Sequence, residues 1–162
     1  MNTAFRTASN SFFLGALLCL SQISFAADIS DISGTWRSID DKTGYAKSLI
    51  KIEKNPNGLY NGKIIKVLSH AGYKPEEFCI DCPAPFTGKP IEGLNVLSGL
   101  KANPSEEGLY DDGKILDPLS GRIYSAKIKL NSDGKKLVIR GFIGFSLLGR
   151  SQTWYREDKP TE

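Results

Sequence analysis

The segment Cys79-Ile80-Asp81-Cys82 is the first place where residue types and spacing are suited to chemistry. A C-x-x-C motif is found in redox-active dithiols, in halves of zinc sites and in local disulfides. A redox-active dithiol needs a helix N-terminus that lowers the thiol pKa, and no helical pattern follows Cys82. Zinc needs two further ligands, but His70 is the single histidine and there is no second cysteine pair. We therefore expect a structural Cys79–Cys82 disulfide, which an oxidising compartment favours.

The other ionisable residues do not form a catalytic set. His70 lies in a loop-like context with no nucleophile elbow, which indicates a surface histidine. Asp40-Asp41 and Asp111-Asp112 are adjacent pairs, and neighbours on an extended chain point in opposite directions. Asp117 begins a turn-like segment whose spacing does not match a calcium loop. The sequence therefore predicts a protein that is not an enzyme and holds neither metal nor cofactor.

The N-terminal residues 1–26 have the pattern of a cleaved secretory signal peptide. Arg6 is their only charged residue, an apolar run follows over 12–20, and Ser24-Phe25-Ala26 ends the segment. The apolar run is shorter than the roughly 20 residues of a membrane-spanning helix. We expect cleavage after Ala26, which also removes Cys19. The protein is then periplasmic or secreted, with no membrane span after cleavage.

The remaining residues, 27–162, are enough for one domain and too few for two. Loss of Arg6 leaves 20 basic against 18 acidic residues, a net charge of +2. The charges are also interleaved along the chain, as on an ordinary solvated surface. This composition argues against nucleic acid or an anionic membrane as a partner.

Short β-rich runs separated by Gly, Asn, Asp and Pro clusters predict an all-β domain. Its roughly eight strands are expected to form a meandering antiparallel sheet that must close or fold over to bury its face. A Pro-rich loop over 69–93 interrupts the pattern, and its length indicates a loop that is functional or tied down. The predicted strands are 34–39, 46–54, 59–68, 94–98, 107–116, 122–131, 135–145 and 149–156.

Two hairpins can be examined for register. Asp133-Gly134 favours a two-residue type I′ turn, while the register around 55–58 stays open between a two-residue loop and an odd-length loop or bulge. The odd-length loop would place Ile50 and Ile52 on one face with Tyr60 and Ile64. The Asp133-Gly134 turn predicts four inward apolar pairs, Leu130–Leu137, Ile128–Ile139, Ala126–Gly141 and Tyr124–Ile143.

The first and last strands of a closed antiparallel barrel must meet. Trp36 lies on the first predicted strand, and Arg150, Trp154 and Arg156 lie on the last. We expect these four residues at the closure, with a guanidinium stacked on a tryptophan ring.

Ordered motifs along the chain match a known pattern at 34–36, Asp40-Asp41, Thr43-Gly44, Cys79-x-x-Cys82, 113–118, Gly121-x-x-Tyr124, 140–144 and 149–154. Through them the chain resembles a family of bacterial exported domains catalogued as domain of unknown function 2147. That family has no established enzymatic activity. The resemblance implies a single antiparallel, roughly eight-stranded lipocalin-like (calycin) β-barrel, periplasmic or extracellular, with room for an apolar cavity.

Function then depends on whether the barrel interior is full. The first hypothesis is a non-catalytic exported protein that binds a small, largely apolar ligand, because Gly141 opposite Ala126 leaves inward space. The alternative is a solid barrel that acts as an envelope protein-interaction module through the 69–93 loop, whose protein partner is unknown. For the first hypothesis the expected cavity lining is Trp36, Ile50, Ile52, Tyr124, Ile128 and Ile139.

Overall fold

The computed structural model describes residues 31–158. Within that range no helix is long and apolar enough to cross a bilayer. The predicted signal peptide, with Cys19, lies outside the described residues. The eight strands are β1 (Gly34–Ile39), β2 (Ala46–Lys54), β3 (Tyr60–Val67), β4 (Asn95–Ala102), β5 (Leu109–Asp117), β6 (Arg122–Leu130), β7 (Lys136–Phe142) and β8 (Gly149–Arg156).

The strands form one closed antiparallel barrel in sequence order, as predicted. The barrel closes where β1 pairs with β8, in the register Trp36 with Arg156 and Ser38 with Trp154. Consecutive strands are neighbours throughout, so short turns join most of them. The exception is the connection from β3 to β4, which runs across the long Pro-rich loop.

The β6–β7 hairpin has the predicted register for its first three pairs, Leu130–Leu137, Ile128–Ile139 and Ala126–Gly141. The predicted turn type is wrong. A type I′ turn needs positive φ at both central residues, but among the described non-glycine residues only Asp112 has positive φ. Gly134 N–H instead donates to Asn131 O, and the Asn131 side chain accepts from the amides of Lys135 and Lys136. The side chain of Asn131 thus stabilises a wider turn in the same register.

The β2–β3 hairpin has the odd-length loop that the sequence left open. Lys54 pairs with Tyr60, so Ile50 faces Ile64 and Ile52 faces Gly62. The side chain of Asn55 accepts hydrogen bonds from the Asn57 and Leu59 amides inside this turn.

Strand β7 is shorter than predicted, and the Tyr124–Ile143 pair is wrong. The ladder ends at the pair of Ser125 with Phe142, and Gly144 follows with φ at +70°. The chain then leaves the sheet into a short 3-10 helix, Ser146–Leu148. The sequence predicted a longer strand because the loop that follows β7 is itself apolar.

One end of the barrel is filled and covered by residues 31–33. Ile32 and Trp36 are fully buried there, and the indole N–H of Trp36 donates to Ile32 O at 2.8 Å. The hydroxyl of Tyr60 donates to Asp31 Oδ2 at 3.1 Å. We call this the closed end.

The long loop crosses the other end, which we call the open end. The Cys79 and Cys82 sulphur atoms lie within bonding distance and their Cα atoms are 5.5 Å apart, which supports the predicted disulfide. The loop rests on the β5–β6 turn, where a Cβ on Gly121 would lie 1.9 Å from Asp81 O. Gly121 also has φ at +66°, so this contact requires glycine.

Candidate functional site

A cavity of about 370 Å³ occupies the open end of the barrel interior. Its size lies within the range of small-molecule sites. The walls come from inward positions of the strands, and the mouth is formed by the β5–β6 turn, the long loop and the β7–β8 loop. The eight strands therefore enclose a space that the side chains leave unfilled.

One wall of the cavity is apolar. Ile50 and Ile64 face each other across β2 and β3, and Ile139 lies on β7. Tyr124 and Gly141 complete this wall, where a Cβ on Gly141 would have only ordinary contacts, the closest at 3.5 Å. Because glycine has no side chain, position 141 leaves volume in the cavity that a larger residue would occupy.

The lining also contains polar side chains. Ser38 and Ser48 are buried on β1 and β2, with their hydroxyl oxygens 2.8 Å apart. Gln152 and Trp154 follow on β8, and all four residues line the cavity. These side chains lie beside the apolar ones, since Ser48 shares β2 with Ile50 and Gln152 pairs with Ile139, so the lining is mixed.

Ion pairs lie at the mouth of the cavity. The guanidinium of Arg150 donates twice to the Asp41 carboxylate, at 2.7 Å from Nε to Oδ2 and with a second, shorter contact from Nη2. These hydrogen bonds lower the pKa of Asp41 and raise the pKa of Arg150. Lys47 lies 3.8 Å from Asp40, whose pKa is lowered chiefly by the hydrogen bond from the Thr43 amide. Lys47 and Arg150, the two cations among the residues that line the cavity, are thus paired with carboxylates.

The β7–β8 loop presents apolar side chains to solvent at the mouth. Ile143, Phe145, Leu147 and Leu148 are 65–88% exposed. The Arg140 guanidinium donates to the carbonyls of this loop, including Leu147 O at 3.0 Å. Ile143 and Leu148 also line the cavity, so an apolar surface runs from solvent into the barrel.

The predicted lining residues separate into two groups. Ile50, Tyr124 and Ile139 lie on the cavity wall. Trp36, Ile52 and Ile128 are fully buried but lie outside the lining, where side chains pack against one another in the core. These three residues were predicted to face the cavity, but they pack in the core instead. Trp36 lies below the floor of the cavity.

Three of the four predicted closure residues lie where β1 meets β8, and the fourth does not. Arg156 lies with its guanidinium carbon 4.3 Å from the centre of the Trp36 ring, and Trp154 pairs with Ser38 across the junction. Arg156 also donates to the carbonyls of Asp31, Ser33 and Gly134. Arg150 is not at the closure. It lies beyond the last β1–β8 pair and binds Asp41 at the mouth instead.

The polar residues of the lining were not predicted. Ser38 alternates with Trp36 on β1, and Gln152 alternates with Trp154 on β8, so the period of a strand places them inward. Serine and glutamine are mostly exposed in proteins, so residue type alone does not indicate inward positions. The signal available was their alternation with two buried tryptophans.

His70 lies among aromatic rings. It stacks on Tyr45 and Tyr73, with ring centroids 4.0 and 5.1 Å away. No three His, Cys, Asp or Glu side chains in the described range lie together as a metal site requires.

Residues 34–156 match the family described as an uncharacterized protein conserved in bacteria (DUF2147). The chain belongs to this family. A comparison with curated protein sequences finds no match. The match covers every strand of the barrel and the long loop.

A solved structure supports the fold. Protein HP1028 from the human pathogen Helicobacter pylori, which is described as belonging to the lipocalin family, superposes with a TM-score of 0.65. The two sequences are 20% identical, over 79% of this chain and 84% of that chain. The likeness establishes a lipocalin-like barrel here, in agreement with the sequence analysis.

Proposed function

We propose that this protein is a non-catalytic, exported binding protein that holds one small, largely apolar molecule in its barrel. The cavity of about 370 Å³ at the open end carries this proposal. An eight-stranded barrel is just wide enough to be filled by side chains or to hold one small ligand. In this chain only the closed end is filled.

Small inward residues support the proposal. Gly141 and Ala126 pair across β7 and β6, and Gly141 lies on the cavity wall. A larger residue at 141 would extend from an open position, because no described atom lies closer than 3.5 Å to its ideal Cβ. The alternative of a protein-interaction module required a solid barrel, so the cavity favours the binding function.

Export is the second part of the proposal. The signal-peptide pattern of residues 1–26 motivates it, and the disulfide in the long loop suits an oxidising compartment. Both features fit a periplasmic or secreted protein. Mass spectrometry of the protein from its own bacterial cells or medium should give a chain that begins at residue 27, and a mass that includes residues 1–26 would contradict export by cleavage.

The binding function is tested by filling the cavity. Gly141→Leu should lower the affinity for an apolar fluorescent probe by at least about tenfold, because its side chain would take up ligand space. Val138→Leu is the matched control, since Val138 lies on the same strand and is exposed. Equal affinities for wild type and Gly141→Leu, with both folded by circular dichroism, would contradict a ligand site in this cavity.

The natural ligand is sought by native mass spectrometry of the wild-type protein purified from its own cells. A discrete additional mass that is lost on denaturation would identify the molecule for extraction. The same protein should then take up that molecule again, and Gly141→Leu should not.

A further inference from the structure

The exposed apolar side chains of this barrel are distributed unevenly between its two ends. Each of the four connections between strands at the open end exposes at least one large aliphatic or aromatic side chain. The three turns at the closed end expose none within the described residues. These turns are 55–59, 103–108 and 131–135. Single exposed apolar residues are ordinary, but their concentration at one end marks an interaction surface.

The β7–β8 loop carries the most exposed of these side chains. Phe145, Leu147 and Leu148 are 81–88% exposed. The amide of Leu148 donates to Phe145 O, and the Arg140 guanidinium donates to the carbonyls of Ser146 and Leu147. A loop whose carbonyls already accept hydrogen bonds enters an apolar medium at a lower cost than a loop that would lose water there. The loop is therefore suited to insertion into an apolar layer.

Three cations lie beside this loop on the outer surface of the sheet, and we call Lys114, Lys127 and Arg140 the basic face. Lys127 and Arg140 pair across β6 and β7, two residues from the end of β7, and Lys114 lies on the neighbouring strand β5. None of the three forms an ion pair with a carboxylate within residues 31–158. The parts of these strands nearest the open end contain no aspartate or glutamate, over 113–116, 122–127 and 138–142.

The basic face favours an anionic partner, because like charges that lie opposite each other across two strands repel. The nearest carboxylate along β5, Asp117, accepts hydrogen bonds from the Leu119 amide and the Ser120 hydroxyl instead. The net charge of +2 for the mature chain argued against an anionic membrane, but it averages this face with carboxylates elsewhere. A second copy of the chain fits poorly, since a two-fold contact through the loop would bring two basic faces together.

We propose that the open end docks on an anionic phospholipid membrane, with the β7–β8 loop among the acyl chains and the basic face on the phosphates. Binding then combines buried apolar area with attraction to anionic headgroups. Tyr45 and Tyr73, which are exposed at the same end, would lie at the boundary between headgroups and acyl chains, where tyrosine is enriched. Because Ile143 and Leu148 also line the cavity, docking turns its mouth toward the bilayer.

The test is cosedimentation of the intact mature protein with phospholipid vesicles. Vesicles of equimolar phosphatidylethanolamine and phosphatidylglycerol should bind the protein. Vesicles in which neutral phosphatidylcholine replaces phosphatidylglycerol should bind it at least about tenfold more weakly. Added salt should release the protein from the anionic vesicles, because it screens the attraction between exposed charges.

Variants separate the apolar from the charged contribution. Phe145→Gln combined with Leu147→Gln should lower the affinity for anionic vesicles at least about tenfold, because both side chains lose apolar area that the bilayer would bury. Tyr155→Gln is the matched control, since Tyr155 is exposed at the closed end of β8. Lys114→Gln combined with Lys127→Gln should weaken binding to anionic vesicles by about 10- to 30-fold and leave the weak binding to neutral vesicles unchanged.

The orientation on the membrane is measured with an introduced tryptophan. Iodide should quench the fluorescence of Leu147→Trp in solution and lose access to it when anionic vesicles are added. Tyr155→Trp should stay accessible to iodide in both conditions. The native Trp36 and Trp154 are buried, so iodide reports on the introduced ring.

The outcomes distinguish this docking from the binding function, on which it does not depend. Gly141→Leu alters the cavity alone and should dock like wild type. No binding to either kind of vesicle would overturn the docking and leave the cavity proposal standing. Equal vesicle binding by wild type and the Phe145→Gln, Leu147→Gln variant would overturn loop insertion. A dimer in sedimentation velocity that this double variant dissociates, together with no vesicle binding, would show that a second copy covers the loop.

Discussion

The closed and open ends of this barrel are made from the same eight strands, yet one is filled and the other is hollow. Two glycines show the difference. A Cβ on Gly113 would lie 2.5 Å from Leu100 Cγ, whereas a Cβ on Gly141 would meet nothing closer than 3.5 Å. At position 113 glycine makes room for a neighbouring side chain, and at position 141 it borders space that no side chain fills.

The chemistry of the two ends differs in the same way. At the closed end Arg156, Trp36 and Tyr60 bind the segment 31–33, so the polar atoms of these side chains have partners inside the protein. At the open end the indole N–H of Trp154 has no hydrogen-bond partner among the described residues. The comparison teaches that the closed end stabilises the fold, whereas the open end keeps unfilled space and an unpaired donor at a cost in stability.

The largest expected effect tests the closed end. Trp36→Ala should lower the free energy of unfolding by about 3–5 kcal/mol, because it opens a space in a filled region and removes the ring beneath Arg156. Tyr124→Ala, at the cavity wall, should cost less, about 1–2 kcal/mol, since a side chain beside a space has fewer contacts to lose. Denaturant unfolding measures both. Equal losses would contradict the division into two ends.

The glycine pair is expected to show the next largest difference. Gly113→Ala should destabilise the protein by about 1–3 kcal/mol, because its methyl group overlaps Leu100. Gly141→Ala should be neutral or stabilise the protein by about 0.4–1 kcal/mol, since it restricts the unfolded chain and fits the folded one. Thermal unfolding of the two variants, measured side by side, checks the sign of each change. Destabilisation of similar size at both positions would show that the open end is packed after all.

The smallest expected effect is at the mouth. The pKa of Asp41 is lowered in the folded protein, so its pairing with Arg150 stabilises the fold above the ordinary carboxyl pKa and this contribution is lost as pH falls through the folded-state pKa. Because the pair is partly exposed, Asp41→Asn should cost less than about 1 kcal/mol near neutral pH and nothing in strong acid.

The measurement for Asp41→Asn is the difference in unfolding free energy from wild type as a function of pH. Arg150→Gln is the matched variant, and the double variant should be no less stable than the worse single one, because both changes break one interaction. Fully additive losses would show that the two residues stabilise the mouth separately.

Much of the fold could be predicted from local patterns. The bounds of β1, β2 and β8 are as predicted, and the β6–β7 register is confirmed although its turn type is not. The predicted register is correct because the inward apolar residues and the position of the turn indicate the same pairing. The turn geometry depends instead on hydrogen bonds to the Asn131 side chain. The end of β7 was missed because the loop beyond it is as apolar as a strand.

The candidate site was less accessible to prediction. Ile50, Tyr124 and Ile139 lie on the wall, but Trp36, Ile52 and Ile128 have the same inward parity and lie in the filled end. Parity along a strand determines which face of the sheet a side chain takes. It does not determine the height along the barrel at which eight sets of side chains stop filling the interior.

The sequence by itself determined roughly eight antiparallel strands and a constrained loop, because strand alternation and turn residues act between neighbours in the chain. Tertiary structure alone decided which end stays hollow, that Arg150 binds Asp41 across 109 positions, and that the Trp154 N–H has no partner among the described residues. These properties depend on side chains that meet only when the barrel closes, and sequence spacing does not encode those distances.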